Sequence, residues 1–388
     1  MKILYIDPWC GNGSNLYYYS TGLVGAMADY SDVVMVTQKD CNIKDNTKYK
    51  VLPLFFPKSS KMRRGIVRTF TRGLEYILSY IKILDYASKN EFDIIHIEWP
   101  LMYKIDSLIF KSLKGKCKLL SLKAHNIMPH STGVKFLKDF TKIYDVPDII
   151  IVHGENMKKE FVEYYPQYVK KLRVQHDGTL ANFNASFSES DVSSEISSMI
   201  EKYSRIYLFV GRIDQDKGID RFAEIWKRQM KESKSLLIIA GKIEKGFDLG
   251  RFKSNCDQCE NIFLINQYIP DNLLNYLMYS SNLVVLPYLR GSMSAVAITA
   301  AEFSKPVLST KFGVIEEYVR NEIDGYVVEN NEQSLERILL HLENDVSNET
   351  LLQMGGRFKK HLNDEFNWDV IGKKLVVETY MDWISKEA

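Results

Sequence analysis

The chain is poor in the features that mark most specialised protein classes. Only five of its 388 residues are cysteine, a small and odd number that reads as a reduced compartment rather than a disulfide scaffold. Cys256 and Cys259 form one CxxC. No second such pair completes the roughly four ligands of a structural zinc, so no metal is expected. An excess of one charge sign is also missing. Lys and Arg total 51 against 49 Asp and Glu, a net charge of +2, whereas a nucleic-acid partner calls for a stronger and more concentrated basic excess. No apolar run reaches the ~18 residues of a bilayer-spanning helix. The opening MKILYIDPW lacks the apolar length of an export signal. A cytoplasmic protein is expected, with contact to the cytoplasmic face of a membrane left open.

What is present is a 45% hydrophobic composition over a length that exceeds one comfortable core and suits two domains. Short apolar strands are expected at 3–6, 33–36, 92–97, 118–122, 148–152 and 172–175, with helical stretches between them. Serine, asparagine and acidic residues dominate 181–204, which reads as a linker with one helix. The pattern then restarts, with strands at 206–210, 236–240, 262–264, 283–286, 307–309 and 325–328. Alternation of this kind builds a parallel sheet covered on both faces. The expected fold is α/β, with two doubly wound Rossmann-like domains, 1–180 and 205–365, facing across a cleft lined by strand ends. Residues 366–388 read as an amphipathic helix that either crosses back to the first domain or covers the second.

In the second domain, LFVGRIDQDKGID brings Gly211, Arg212, Lys217 and Gly218 to one strand end. Glycine lets backbone approach a ligand, arginine donates twice to phosphate oxygens, and lysine adds a mobile charge. Two loops close neighbouring strands, at Gly241 and around Ile269. Gly291, Ser292 and Ser294 then turn into a helix whose free N–H groups suit phosphate. Glu302 lies late in that helix, where a carboxylate suits the vicinal hydroxyls of a ribose. The set reads as a grip on a nucleotide diphosphate, although solvated loop cations remain the plain alternative for Arg212 and Lys217.

VGRIDQDKGID, IIAGK, YIP, LPYLRGSMSAVAITAAEFSKPVLSTKFGVIEEYV and DGYVVEN stand in the order found in GT-B glycosyltransferases. Over about 200–330 the chain resembles the large family 4 clan of that fold. The first half resembles it more loosely, through GNGSN, the strand-end His125 and VQHDG. The resemblance implies a nucleotide-diphosphate sugar as donor substrate, with no cofactor and no metal. Arg212 and Lys217 would bind the diphosphate and stabilise the departing charge. Glu302 would hold the donor ribose, Gly13 would let the first-domain loop approach the donor, and His125 would lie near the transferred sugar. The clan's usual motif pairs two glutamates; Glu302 matches the second, and Ser294 stands where the first is expected. Retention of anomeric configuration is the clan's main course, and the missing first acid weakens that preference.

The first domain is left to the acceptor. His96, Glu98 and Trp99 follow one strand, His125 and Asn126 another, with His130 beyond; His153 and His176–Asp177 close two more. Glu98 and His125 are the candidate bases for an acceptor hydroxyl. The histidines lie on separate loops and give no metal-ligand spacing. Residues 57–73 hold six Lys or Arg and no acid, interleaved with Met62, Ile66, Val67 and Phe70. Such a helix, Lys58 to Arg72, suits an anionic inner leaflet or a phosphorylated acceptor, though a solvated basic helix has the same composition. The reading is a metal-independent hexosyltransferase that extends a saccharide, lipid-diphosphate-linked, in polysaccharide or glycan assembly. A sugar-nucleotide epimerase of the same fold and a non-catalytic sugar-binding derivative are the alternatives.

Overall fold

The computed structural model describes residues 1–11, 16–41, 43, 48–63, 65–127, 137–180 and 185–387. The chain divides into two compact units, Met1–Asn182 with Phe366–Ala388, and Phe183–Glu365. The first holds β1 (Lys2–Ile6), β2 (Asp32–Gln38), β3 (Lys50–Phe55), β4 (Phe92–Ile97), β5 (Cys117–Lys123), β6 (Ile149–Val152) and β7 (Leu172–Val174). All pair in parallel in the order β3-β2-β1-β4-β5-β6-β7. The second holds β8 (Arg205–Val210), β9 (Ser235–Ala240), β10 (Ile262–Ile265), β11 (Leu283–Leu286), β12 (Val307–Thr310) and β13 (Gly325–Val328). They are likewise parallel, in the order β10-β9-β8-β11-β12-β13.

The sequence explains these sheets. The central strands read as nearly unbroken Ile, Leu and Val because helices cover both faces, and residues such as Ile3, Leu4, Ile94, Ile95, Val284 and Val285 are wholly buried. Strand order reverses between β1 and β4 in one sheet and between β8 and β11 in the other. Ligands of open α/β sheets bind beyond the carboxyl ends of the strands at such reversals.

Two elements depart from the sequence reading. β3 was not expected there, because KVLPLF contains Pro53, which cannot donate to a ladder. It is tolerated because β3 is an edge strand, and the register with β2 shifts between Thr37 and Gln38. The terminal segment is not one regular helix: Trp368–Lys373 is α-helical, Lys374–Met381 is π-helical and Asp382–Glu387 is again α-helical. Ile371, Leu375, Val376 and Tyr380 join Ile3, Leu23, Val24 and Met27 in one buried cluster of the first unit. A Cβ at Gly372 would lie 2.6 Å from that of Ala26, so only glycine permits this helix approach. Among the described residues, no helix is long and apolar enough to cross a membrane.

Candidate active site

In the first unit the C-terminal strand ends converge on one buried polar chain. Glu98, immediately after β4, has no exposed surface. His96 Nε2 lies 2.7 Å from its Oε2 and His125 Nε2 lies 2.6 Å from its Oε1. His125 Nδ1 faces His153 Nε2 at 3.0 Å, and His153 Nδ1 faces Asp177 Oδ1 at 2.8 Å. Lys123, wholly buried at the end of β5, donates to the Gln175 carbonyl at 3.0 Å and stands 3.5 Å from Asp177 Oδ1. At the other end, Tyr380 Oη lies 2.6 Å from His96 Nδ1 and 3.2 Å from Ser121 Oγ. The π-helical turn thus carries a terminal side chain to this chain of contacts, and such turns recur at functional sites.

Packing fixes the rings. The Trp99 ring stacks on His125 with centroids 3.6 Å apart, and Tyr5 stacks on His96 at 5.0 Å. Beyond β1, buried Asp7 accepts from Ser20 Oγ at 2.5 Å and from the N–H groups of Trp9 and Cys10. Burial pushes its carboxyl up to about 7. Burial acts on Glu98 in the same direction, but His125 and His96 outweigh it and hold that carboxyl well below the usual range. Asp177 is held low in the same way by His153 and Lys123. Burial pulls the His125 imidazole down to about 4, against the attraction of Glu98.

A cavity of about 850 Å³ opens beside this chain, lined by Trp9, Phe56, Arg68, Arg72, Trp99 and Met102 among others. The Arg72 guanidinium lies 3.6 Å from the Phe56 ring centroid and 5.2 Å from that of Trp9. Both arginines come from the helix Ile66–Lys89, whose Tyr76, Tyr80 and Ile83 pack inward. Its other side leaves Ile66, Val67, Phe70, Leu74, Leu78 and Ile81 in solvent, with Ile66 90% and Phe70 69% exposed. An apolar stripe of that length exceeds what scattered surface residues explain.

In the second unit the loop after β8 and the loop after β11 meet at the strand reversal. Leu289 and Arg290 N–H both donate to the Asp216 carbonyl. Gly218 sits at φ +59°, and a Cβ there would lie 2.2 Å from the Pro287 carbonyl. A Cβ at Gly241 would lie 1.7 Å from the carbonyl of Gly211, so both positions need glycine for the loops to close up. Lys217 is half-buried, with Nζ 3.6 Å from the centroid of the buried Tyr288 ring. Burial lowers its ammonium to about 8. Arg212, by contrast, is 71% exposed, with Asp214 at 3.8 Å. Ser294 precedes the helix Ala295–Glu302 and contacts Tyr288 Oη through its hydroxyl at 3.4 Å. Ser292 accepts at its carbonyl from Val314 N–H.

Of the expected residues, the structure gathers Gly211, Arg212, Lys217, Ser292 and Ser294 on the two loops at the β8–β11 reversal. Gly241 follows β9, and Ile269 is half-buried on the loop after the edge strand β10, beside exposed Tyr268. Glu302 is the last residue of its helix, roughly 12 Å along the axis from Ser294. Lys359 donates to its carbonyl, and burial raises its carboxyl against the pull of Lys359. Gly13 and His130 lie outside the described residues. The two candidate bases, Glu98 and His125, lie inside the buried polar chain. Glu98 has both oxygens engaged and no surface, and His125, 9% exposed, has both ring nitrogens engaged. His96 lies within β4, not after it.

Sequence reasoning missed Lys123 and Tyr380, and noted His153 and Asp177 without joining them to His125. The available signal was that successive strands each ended in a titratable residue. Among the described residues, no group of three or more His, Cys, Asp or Glu side chains is arranged to hold a metal ion.

Residues 195–361 match the family model described as Glycosyl transferases group 1. An uncharacterized glycosyltransferase of Methanocaldococcus jannaschii is 24% identical over 315 residues, 80% of this chain and 82% of that protein. The lipopolysaccharide 1,2-N-acetylglucosaminetransferase of Salmonella typhimurium is 22% identical over 195 residues, 48% of this chain and 51% of its own. Among solved structures, sucrose-phosphate synthase from Thermosynechococcus elongatus superposes with a TM-score of 0.73 at 16% identity, covering 100% of both chains. Anabaena HepE in complex with UDP gives 0.70 at 14% identity, over 98% of this chain and 100% of that one. The fold is therefore of the GT-B type, built from two Rossmann-like domains.

Proposed function

We propose that the protein is a glycosyltransferase that takes a hexose from a nucleotide-diphosphate sugar, without a metal ion, and passes it to a saccharide acceptor. The observation that carries this reading is the pair of loops at the β8–β11 reversal, where Lys217 and Arg212 share one loop, Lys217 lies over Tyr288 of the other, and Gly218 lets the two close up. The family match over the same unit and the UDP bound by the HepE relative support it. Lys217 and Arg212 neutralise the diphosphate as it leaves. The two ends of the helix Ala295–Glu302 suit different parts of one nucleotide, phosphate at the start and ribose at Glu302. A panel of sugar nucleotides, tested for binding by calorimetry and for turnover, checks the reading. Failure to bind or consume any of them would overturn it.

Glu302→Ala is expected to weaken binding of the preferred nucleoside diphosphate by roughly 1.5–3 kcal/mol, the worth of a charge-assisted hydrogen bond, about tenfold or more in Kd. Thermal stability should change little, since Lys359 keeps its 2.8 Å bond to the Glu302 carbonyl and loses only a 4.0 Å ion pair with the carboxylate. Unaltered nucleotide affinity would reduce Glu302 to a helix-end acid.

The acceptor we assign is a lipid-diphosphate-linked saccharide, in glycan assembly at the inner leaflet. Support comes from the aromatic cavity with Arg68 and Arg72, and from the exposed apolar stripe on the same helix. Changing Lys61, Arg63, Arg64 and Arg68 together to Gln is expected to release the protein from anionic vesicles, at ~1 kcal/mol per charge, with donor affinity retained. Arg64 lies outside the described residues. Equal co-sedimentation of the variant at low salt would mark the patch as solvated surface. Because the ring nitrogens of His125 and the oxygens of Glu98 are engaged, the chemistry is assigned to a route in which the departing phosphate takes the acceptor proton. That route gives retention; a product anomer opposite to the donor's, seen by proton NMR, would reject it.

A further inference from the structure

The line from Glu98 to Asp177 contains four imidazole nitrogens and two carboxylates, and its hydrogens can be counted. An ionised carboxylate only accepts hydrogen bonds. His125 Nε2 at 2.6 Å from Glu98 and His153 Nδ1 at 2.8 Å from Asp177 must therefore both carry protons. The inner contact, His125 Nδ1 to His153 Nε2 at 3.0 Å, needs one as well, since two bare nitrogens would oppose lone pair to lone pair. That makes three protons on two rings, and two neutral imidazoles carry only two.

We infer that His125 and His153 share one excess proton between the carboxylates of Glu98 and Asp177, which makes His153 and Asp177 positioning residues for His125. Charge balance supports the same count independently. Among the described residues, Glu98 and Asp177 contribute two negative charges and Lys123 one positive charge to this buried group. The shared proton brings the total to zero, whereas two neutral rings would leave an uncompensated buried anion, which is costly. Both carboxyls are held below their ordinary range, so the proton belongs to the rings. His96 needs no extra proton when Nε2–H serves Glu98, the single Tyr380 O–H turns to Nδ1, and the Ser121 hydroxyl donates to Tyr380 Oη in its place. Titratable neighbours among the described residues include Asp7 beyond β1, Tyr5 stacked on His96, and Tyr19, whose ring meets His125 edge-on at 5.9 Å.

The result is a tautomer lock. His125 is fixed with Nε2–H toward Glu98, its ring clamped under Trp99 and closed to direct proton exchange with substrate. The proton count stands on the contact geometry with both carboxyls ionised, and its consequence for turnover rests on the transferase reading. The test is 15N NMR of histidine-labelled full-length protein at pH 7 to 8, with signals assigned through His153→Gln. Wild type is expected to show one ring protonated at both nitrogens, hydrogen-bonded to a second that is neutral. Asp177→Asn removes one negative charge and should abolish the doubly protonated signal. Lys123→Met removes a positive charge and should preserve it. Two neutral rings in wild type would overturn the inference, whether or not any sugar nucleotide binds. So would a doubly protonated ring that persists in Asp177→Asn. If that variant does not fold, wild type and Lys123→Met still decide the matter. With a donor in hand, Asp177→Asn should lower kcat more than it raises KM.

Discussion

Lys217→Ala is expected to reduce turnover of the preferred donor by ~10²–10³-fold, about 3–4 kcal/mol of transition-state stabilisation. The argument begins with placement. Lys217 ends a short turn after β8, and its neighbour Gly218 allows that turn to press on the Pro287 carbonyl beyond β11. The ammonium is thereby drawn over the Tyr288 ring at 3.6 Å and half out of water. A cation held this way spends little on reorganisation when negative charge grows on a leaving diphosphate. Burial also pulls its pKa to about 8. A bound diphosphate acts in the opposite sense, because a nearby anion favours the charged form. Nucleotide binding should therefore take up a proton when measured above pH 8, by calorimetry in buffers of different ionisation enthalpy. The uptake should vanish in Lys217→Ala. Arg212, mostly exposed on the same loop, should follow in direction with a smaller effect. Wild-type turnover in Lys217→Ala would remove the residue from the mechanism and, with it, the main support for a metal-independent leaving-group site.

How far the sequence carried this site differs between the two units, for a physical reason. In the second unit the relevant residues are contiguous: Gly211 to Gly218 is one loop and Gly291 to Glu302 one loop and helix. Glycine and cation spacing are local signals, so both pieces could be read directly. In the first unit the site is made by juxtaposition. Glu98, His125, His153 and Asp177 each look like an ordinary strand-end residue, separated by 27, 28 and 24 positions. Parallel pairing of β4, β5 and β6, with β7 beside them, sets those ends in a row. Nothing local announces it. The same holds for Tyr380, which reaches His96 only because the π-helical stretch carries it there. Strand identity was legible wherever apolar runs were continuous. It failed at β3, where Pro53 argues against a strand unless the strand is known to be at an edge.

The largest loss of stability is expected from Glu98→Ala. Glu98 is wholly buried and accepts from two histidines, at 2.7 and 2.6 Å. Removing one side of a buried, hydrogen-bonded charge group leaves its partners unpaired, and such changes cost about 3–5 kcal/mol. For a unit of this size that corresponds to a fall in Tm of roughly 6–20 °C. The shared proton between His125 and His153 would lose one of its two flanking carboxylates, so the damage extends past the deleted group. Glu98→Gln separates shape from charge. It fills the space, but its amide must turn a donor toward one imidazole N–H. The pH dependence gives a second, independent reading. The Glu98 carboxyl is held well below its ordinary value in the folded protein. Its contribution is therefore present above the ordinary carboxylate range, near ~4.3, and is lost as pH falls through the folded value. Asp7 has the opposite sign: its carboxyl is raised to about 7, so it favours the folded state most at low pH and loses that contribution as pH rises through about 7. Denaturation of wild type, Glu98→Ala and Glu98→Gln between pH 2 and 8 reads the Glu98 contribution below pH ~4.3 and the Asp7 contribution nearer 7, the part of the Asp7 shift that Glu98 causes being lost with it. The gap between wild type and either variant should narrow on the acid side. A Glu98→Ala protein as stable as wild type at neutral pH would show that the histidine–carboxylate chain contributes nothing to holding the first unit together.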